Sequence, residues 1–477
     1  MKQGYVAAID IGTTKIVAII GKKNPNGQIE VVGLGKTESR GVARGEVINI
    51  ENTVVSINKA VALAQEAAQV KIDEVYVGIA GKHIRCSQSR GYINRDKYNE
   101  LITQADVAKL IKDQHNVMTG PGEEIIHVLP QNYLVDHEYD VIDPIGMPGK
   151  RLEANFHMVI GKIDSINYIK RSITNAGLKH RGIILEPFAS AEAVLDEQEK
   201  EVGVILVDIG GGTTDIAVIY ENIIRHSAVI PFGGKAITND IKEGCKILER
   251  QAEELKVRHG HAVMGMAGSN KIISVSVGKL REPKEISLKT LAGIIQARME
   301  EIIDAIIFEA EASGVFDKID GIVITGGGSL LEDLPQLFSF KTGLECRKGS
   351  PNEYIISKND DLNNPLFATS VGLLMMGFKD METNPNPIHE AVEVIKETPK
   401  TEPTETILKI EKPEIQAEKN LTIEDKKQQE KIEKAAKKNL EKNNDKKTGS
   451  RPVGLLRDFL SEIFNDSKEV DNTDTKI

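Results

Sequence analysis

Short apolar segments with two different periods alternate through the first 379 residues of this chain. Runs rich in Val, Ile and Ala predict strands at residues 5–9, 15–21, 29–34, 74–79, 202–207, 215–220, 223–230 and 321–325. Apolar residues with helical spacing predict helices at residues 54–69 and 330–337. This alternation predicts an α/β fold built from layers of strands and helices.

One glycine-containing segment occurs twice. Residues 10–15 read Asp-Ile-Gly-Thr-Thr-Lys, and residues 208–215 read Asp-Ile-Gly-Gly-Gly-Thr-Thr-Asp. Each copy lies between two apolar runs, so each is predicted to be the tight turn of a β-hairpin rather than a link from strand to helix. The repeat therefore predicts two similar lobes that each open with the same hairpin.

The residue types in these two turns suit an anionic ligand. Glycine lets the backbone approach a ligand closely, and successive turn N–H groups form an anion-binding nest. A leading Asp would repel a phosphate unless Mg²⁺ lies between them, usually with bridging water. The alternative is a duplicated hairpin without a ligand. The candidate phosphate-binding residues are Gly12, Thr13, Thr14, Lys15, Gly210, Gly211, Gly212, Thr213 and Thr214, and the candidate magnesium ligands, through water, are Asp10 and Asp208.

A third glycine turn follows the strand predicted at residues 321–325. Gly326, Gly327 and Gly328 precede Ser329, which is predicted to cap a helix in a capping box with Glu332. Glycines before a helix N-terminus suit close approach of a ribose or phosphate. A capped helix start without a ligand is the alternative.

In this order and at these distances, the three turns resemble those of the superfamily of actin, heat-shock chaperones and sugar kinases. The resemblance implies a two-lobed ATPase fold with ATP and Mg²⁺ between the lobes, and it assigns residues 326–329 to the adenosine. Glu253 and Lys256 fall where the superfamily contacts the adenosine, although a solvated helix face is the alternative for this pair. Glu186 matches a residue that orients a water molecule in the chaperones, so it is the candidate catalytic residue. No other base is evident, so at most slow hydrolysis is expected.

Within this superfamily, residues 39–45, 78–81, 233–234 and 252–256 resemble the FtsA family of bacterial division proteins. The resemblance covers about residues 4–379 and the end of the tail. It implies a scaffold that polymerises head to tail, binds the tubulin-like protein FtsZ and helps to recruit other division proteins. It also implies a peripheral location on the cytoplasmic face of the inner membrane, at the septum.

The same resemblance implies how the folded part is divided. Residues 1–83 and 163–195 are expected to form the first lobe, which carries the first phosphate loop. Residues 84–162 are expected to form a small extra α+β subdomain. Residues 196–379 are expected to form the second lobe, in which residues 231–305 are a subdomain.

The C-terminal part of the chain differs in composition. Residues 380–477 hold 18 Lys and Arg with 22 Asp and Glu, and no aromatic residue occurs between 380 and 458. Such a segment cannot bury enough apolar surface to offset its ordering entropy. We therefore predict a disordered charged linker at 380–449 and a disordered end at 467–477.

Between these two stretches, residues 450–466 are predicted to form an amphipathic helix. Its residues 452–465 span only about 20 Å, against a bilayer core of about 30 Å, so the helix would lie in the membrane interface. Docking on the folded part or on a partner protein is the alternative. The predicted membrane-facing residues fill half of the helix circumference and are Val453, Leu455, Leu456, Phe459, Leu460, Ile463 and Phe464.

Composition and charge exclude several other classes of protein. A net charge of −10 argues against a broad nucleic-acid surface, and no nucleic-acid partner is expected. Three scattered cysteines without a CxxC pair argue against a disulfide scaffold. Two other functions stay open: a sugar-kinase-type phosphotransferase, for which no carboxylate base could be placed, and a pilus-assembly relative at the inner membrane.

Overall fold

A computed structural model describes residues 4–95, 100–136, 138–268, 271–276, 283–351, 355–357 and 360–383. Internal contacts divide the chain into residues 1–390 and 391–477, and all described residues belong to the first of these units. The predicted linker, apart from residues 380–383, and the predicted membrane helix at 450–466 lie outside the described residues. None of the described helices is both long and apolar enough to cross a bilayer.

The described residues form strands and helices in alternation, as the apolar pattern predicts. The strands are β1 (Tyr5–Ile11), β2 (Lys15–Lys23), β3 (Ile29–Glu38), β4 (Val42–Ala43), β5 (Glu46–Val47), β6 (Glu74–Ile79), β7 (Arg85–Asn94), β8 (Glu123–Val135), β9 (Glu138–Val141), β10 (Arg151–Lys162), β11 (Lys179–Leu185), β12 (Val204–Ile209), β13 (Thr214–Tyr220), β14 (Ile223–Ile230), β15 (Ile272–Val275), β16 (Lys284–Ser287), β17 (Gly321–Thr325), β18 (Glu345–Lys348) and β19 (Ile355–Ser357). The helices are α1 (Ile50–Ala68), α2 (Gln104–Gln114), α3 (Ile163–Asn175), α4 (Glu186–Val194), α5 (Glu197–Val202), α6 (Gly234–Cys245), α7 (Glu249–His259), α8 (Leu288–Ala312), α9 (Leu334–Thr342) and α10 (Ala368–Thr383).

Two large sheets repeat the same topology. The first has the order β11-β6-β1-β2-β3-β19, and the second has the order β14-β13-β12-β17-β18. In the first, β1 pairs antiparallel with β2 and parallel with β6. In the second, β12 pairs antiparallel with β13 and parallel with β17. The two Asp-Ile-Gly turns therefore occupy equivalent hairpins, as the internal repeat predicts.

Apolar packing joins the two sheets through α4 and α10. One core cluster combines Val6 and Ala8 of β1 with Val204 and Leu206 of β12, and Val371 of α10 belongs to the same cluster. A separate cluster packs α1 and α3 on the other face of the first sheet, and another packs α6 and α8 on the second sheet. Helix α4 contacts both sheets, and α10 packs on α4 and the first sheet and reaches Asp208 of β12 through Thr369, so the two helices fix the hairpin ends near one another.

A smaller sheet lies between β6 and α3 in the chain. Its order is β7-β10-β8-β9, and α2 packs against β7 and β8. Leu110 of α2, Leu152 and Phe156 are fully buried in its core. Every second residue of β10 from Leu152 to Met158 joins the core that includes α2, and the strand also contacts β14.

The prediction of a helix at residues 330–337 is wrong in its position. Residues Gly327–Leu330 form a short 3₁₀ turn, and α9 begins only at Leu334, with Pro335 in its first turn. The Ser329 hydroxyl does not cap this helix; it donates to the carbonyl of Gly326 at 2.7 Å. Proline is favoured at the start of a helix because it has no N–H to satisfy, and here it marks the later start.

Candidate functional site

A cleft of about 1140 Å³ lies where the two hairpin turns face each other. Gly211 and Gly212 of the second turn lie directly against Thr14 and Thr13 of the first. A side chain at Gly211 would overlap the Thr14 methyl group, so glycine is needed there for the close approach. The repeat thus brings together two segments that are far apart in the chain.

In the first turn, a cation lies beside the leading carboxylate. Asp10 is 3% exposed, and its Oδ2 lies 3.6 Å from Lys15 Nζ. The hydroxyl of Ser370, on α10, donates to the same oxygen at 3.1 Å. The Gly45 N–H donates to Thr13 Oγ1 at 3.1 Å and holds the turn against the following loop.

In the second turn, the leading carboxylate is held by hydroxyl groups. Asp208 Oδ2 accepts hydrogen bonds from Ser190 at 2.7 Å and from Thr369 at 2.9 Å. Burial raises the pKa of Asp208. Opposite it in the hairpin register lies Asp215, whose pKa is raised well above its usual range by burial and by the Asp208 charge. Asp215 Oδ1 is buried and has no hydrogen-bond partner among the described residues.

Half-buried Glu186 completes a cluster of four acids with the buried Asp10, Asp208 and Asp215. It is the first residue of α4 and lines the cleft. Its pKa is raised well above the usual range, first by burial and then by the charges of Asp10, Asp215 and Asp208. Lys15 is the cation that opposes this effect. Such a cluster disfavours ionisation of all its members at once, and a bound cation would relieve the repulsion.

The third glycine turn closes the cleft from the second sheet. Gly326 has a φ of 78°, and a side chain there would overlap Asp208 Oδ1. Gly327 and Gly328 also line the cleft, but Ser329 does not; its side chain is buried on the Gly326 carbonyl. The turn therefore offers the cleft a backbone surface.

The predicted pair on α7 also reaches the cleft. Lys256 Nζ donates to the Gly234 carbonyl at 2.9 Å and to Glu253 Oε2 at 2.8 Å. Thr238 Oγ1 donates to Glu253 and accepts from Lys256. The ammonium group of Lys256 is therefore fixed near the first residue of α6, where it forms an ion pair with Glu253.

Most of the predicted site residues line one cleft. The predicted residues that line it are Asp10, Gly12, Thr13, Thr14, Lys15, Glu186, Asp208, Gly210, Gly211, Gly212, Thr213, Glu253, Lys256, Gly326, Gly327 and Gly328. Thr214 does not line it; its buried side chain donates to the carbonyl of Phe232, just after β14, at 2.9 Å. The predicted membrane-facing residues lie outside the described residues.

Several site residues carry no signal on their own in the sequence. Ser190, Thr369 and Ser370 act through hydrogen bonds to Asp208 or Asp10, and only the packing of α4 against α10 reveals them. Asp215 could have been found from the sequence, because it ends the second motif at the position where the first motif has Lys15. Reading the two motifs against each other would have found it.

The donor set fits a hydrated cation better than a fully protein-bound one. Oxygen donors surround the cleft, and hard cations such as Mg²⁺ prefer oxygen ligands. In the described part of the chain, no group of three or more His, Cys, Asp or Glu side chains has the arrangement of a metal site. A magnesium ion would therefore be bound by Asp10 and Asp208 together with water and ligand phosphates.

Comparisons with known proteins agree in family and fold. The family described as "Cell division protein FtsA" matches residues 205–372, and "SHS2 domain inserted in FTSA" matches residues 81–160. The chain is 41% identical over 377 residues to cell division protein FtsA of Pseudomonas aeruginosa, covering 78% of this chain and 89% of the relative. It is 38% identical over 394 residues to FtsA of Neisseria meningitidis serogroup B, covering 82% and 94%.

A solved structure titled "PilM-PilN type IV pilus biogenesis complex" covers 78% of this chain and 98% of its own with a TM-score of 0.57. At 14% identity, this likeness shows a shared fold alone. The predicted α/β, actin-like fold is confirmed. The extent and identity of the curated matches show that the chain belongs to the FtsA family of cell division proteins.

Proposed function

We propose that the cleft binds ATP with Mg²⁺ and that the chain acts in cell division as a nucleotide-dependent scaffold. The observation that carries the proposal is the meeting of two glycine turns, with Lys15 on one side and a cluster of four acids behind them. Backbone N–H groups and one ammonium group suit phosphate oxygens, whereas the acids suit the metal.

Each wall of the cleft has its own task in this proposal. Residues 12–15 and 210–213 hold the phosphates, and residues 326–328 lie against the adenosine with Glu253 and Lys256. When bound, magnesium supplies positive charge between the phosphates and the two leading acids, Asp10 and Asp208. Ser370 and Thr369 orient these carboxylates.

Turnover is expected to be slow. Glu186 must be ionised to accept a proton from water, but burial and three neighbouring acids raise its pKa. A protonated carboxyl group cannot accept a proton, so only the ionised fraction of Glu186 can act as a base. ATP hydrolysis should therefore be slow compared with the about 10 per second that is typical of enzymes. Rapid phosphoryl transfer to a sugar would favour the kinase alternative instead.

Calorimetry with Mg-ATP tests the nucleotide site. Asp208→Ala should weaken binding by about tenfold or more, because the metal then loses one of its two carboxylates. Asp113→Ala, on the exposed face of α2, is the control and should bind as the native chain does. Equal affinities in the two variants would reject the assignment of the second turn.

The scaffold function rests on the family resemblance and on the expected domains. We propose that the chain binds FtsZ, polymerises head to tail through residues 84–162, and recruits other division proteins at the septum. Deletion of residues 84–162 should abolish sedimentation of polymers while Mg-ATP binding persists. Loss of both properties would mean that this region belongs to the core of the fold.

Membrane attachment is assigned to residues 450–466. Seven apolar side chains on one face of a helix suit partial burial in the interface, and a single helix would bind weakly and reversibly. Polymers would present many such helices and bind firmly through avidity. Leu460→Glu should release the chain from anionic liposomes in a flotation assay, whereas Glu462→Lys should strengthen binding. Flotation of the Leu460→Glu chain would place the membrane contact elsewhere.

A further inference from the structure

The small sheet presents a polar face to β14, and hydrogen bonds join the two at one end of this face. Cys86 Sγ donates to the Ser227 carbonyl at 3.0 Å, and His157 Nε2 lies 3.0 Å from Ser227 Oγ. Gln131 Nε2 donates to the Ile224 carbonyl at 2.8 Å. These bonds fix the small sheet against the second lobe at one end of the polar face.

Beside these bonds, the contact opens into a recess of about 540 Å³. Two arginines, Arg90 of β7 and Arg225 of β14, line it together with the amide side chains of Gln88, Gln131, Asn132 and Asn155. Among the residues that the structure describes, no Asp or Glu lines it. The lining therefore supplies two guanidinium groups and neutral amide groups but no carboxylate.

Arg225 has donors that its own neighbours do not use. Its Nη2 donates to Glu221 at 2.8 Å, and its guanidinium lies 5.8 Å from the Tyr220 ring centroid. Its Nε is buried and has no hydrogen-bond partner within the described part of the chain. A buried donor without an acceptor is costly, so Glu221 satisfies the Arg225 guanidinium only in part.

Arg90 adds positive charge from the opposite wall. Glu153 accepts from Arg90 Nε at 3.0 Å, but the same carboxylate also accepts from Arg151 at 2.6 Å. One carboxylate thus faces two guanidinium groups, which leaves an excess of positive charge. Guanidinium groups bind phosphate and carboxylate oxygens through charge-assisted hydrogen bonds.

We propose that this recess binds a small phosphate-bearing solute between Arg90 and Arg225. Its volume lies within the range of about 300–1,000 Å³ that is typical of small-molecule sites. The amide groups would contact the polar part of the solute. Because the two arginines come from the small sheet and the second lobe, the bound anion would hold these two parts together. The site is separate from the glycine-turn cleft and does not depend on the function proposed for it.

Calorimetric titration of the full chain with glycerol 3-phosphate tests this site. Arg225→Gln and Arg90→Gln should each weaken binding by about tenfold or more, because each removes charged donors. Arg171→Gln makes the same charge change on the exposed face of α3 and should bind as the native chain does. Anions that bind in the glycine-turn cleft would be unaffected by all three substitutions.

Two results would overturn the proposal. One is undetectable binding of glycerol 3-phosphate to the native chain, and the other is equal affinity in the native chain and both recess variants. If Arg225→Gln shows no cooperative thermal transition, it is not folded, and the affinity of Arg90→Gln alone then tests the recess. Vesicles of phosphatidic acid separate a lipid headgroup from a free solute as the source of the phosphate. If the native chain binds these vesicles but not glycerol 3-phosphate, and Arg90→Gln abolishes vesicle binding, the recess would bind a lipid headgroup instead of a solute.

Discussion

The two Asp-Ile-Gly turns share a topology but differ in charge. In the first, Asp10 has Lys15 within 3.6 Å and one hydroxyl donor, Ser370. In the second, Asp208 has two hydroxyl donors, and a second acid, Asp215, lies opposite it in the hairpin. The first turn therefore balances its own charge, and the second accumulates negative charge.

This difference predicts different tasks for the two turns in the proposed nucleotide site. A turn with a lysine and free N–H groups can bind phosphate by itself, whereas a turn with two buried acids needs a cation. Burial is the first cause of the raised pKa of both Asp208 and Asp215; the Asp208 charge raises the pKa of Asp215 further, and the Asp10 charge acts in the same direction on Asp208. The two turns share one hairpin topology, and the last residue of each motif, Lys15 or Asp215, gives them opposite local charge.

The close approach of the two turns is the feature whose loss should have the largest effect. Gly211→Ala places a methyl group against Thr14 and should lower Mg-ATP affinity by about tenfold or more, because overpacking typically costs about 1–3 kcal/mol. Adding Thr14→Ser removes the opposing methyl group and should restore most of the affinity. Gly265→Ala, at a position with open space around it, is the control for calorimetry.

Removal of one charge from each turn should distinguish the roles of the two turns in ATP binding. Lys15→Gln removes the cation near the phosphates and should weaken ATP binding with and without magnesium, by about tenfold at low salt. Asp215→Asn removes one buried acid and should improve binding of metal-free ATP, so the gain on adding Mg²⁺ becomes smaller. Titrations with ATP in EDTA and in Mg²⁺ measure both effects. An equal response of the two variants would mean that the turns do not differ in task.

The acid cluster should make stability depend on pH. A folded-state pKa above the unfolded value means that the charged form of Glu186 is disfavoured in the fold, so its cost appears above the unfolded pKa of about 4.3. Glu186→Gln should therefore increase the free energy of unfolding at pH 7 by about 1 kcal/mol or more. The gain should shrink as the pH falls toward 4.

Denaturant unfolding of the nucleotide-free chain from pH 4 to pH 8 measures this difference. Glu66→Gln, on the exposed face of α1, should show no comparable gain. A gain for Glu186→Gln that is the same at pH 4 and pH 7 would come from packing rather than from charge.

The smallest effect is expected at Thr214, the second-turn residue that does not line the cleft. Thr214→Val removes the hydrogen bond to the Phe232 carbonyl and should lower the free energy of unfolding by about 1 kcal/mol. Mg-ATP affinity should stay within about twofold, because the hydroxyl points away from the cleft. Thermal unfolding and calorimetry on the same sample check both parts. A loss of Mg-ATP affinity without a loss of stability would mean that the Thr214 hydroxyl contacts the phosphates after all.

The sequence by itself determined the repeat, the two hairpins and the residues of their turns. Glycine, hydroxyl and acidic residues at a strand end carry that information locally, because turn geometry and alternating apolar strands depend on near neighbours in the chain. The predicted start of the helix at residue 330 was wrong. Ser329 and Glu332 form a capping pattern, but α9 begins only at Leu334, with Pro335 in its first turn. Local signals compete at such a boundary, and a capping pattern alone does not resolve them.

Only the tertiary structure decided which groups surround each carboxylate. Ser190, Thr369 and Ser370 come from α4 and α10, which meet through apolar packing between residues far apart in sequence. The raised pKa of Glu186 likewise depends on three acids that only the fold brings near it. Burial and charge proximity are properties of packed layers, so no local pattern in the chain can encode them.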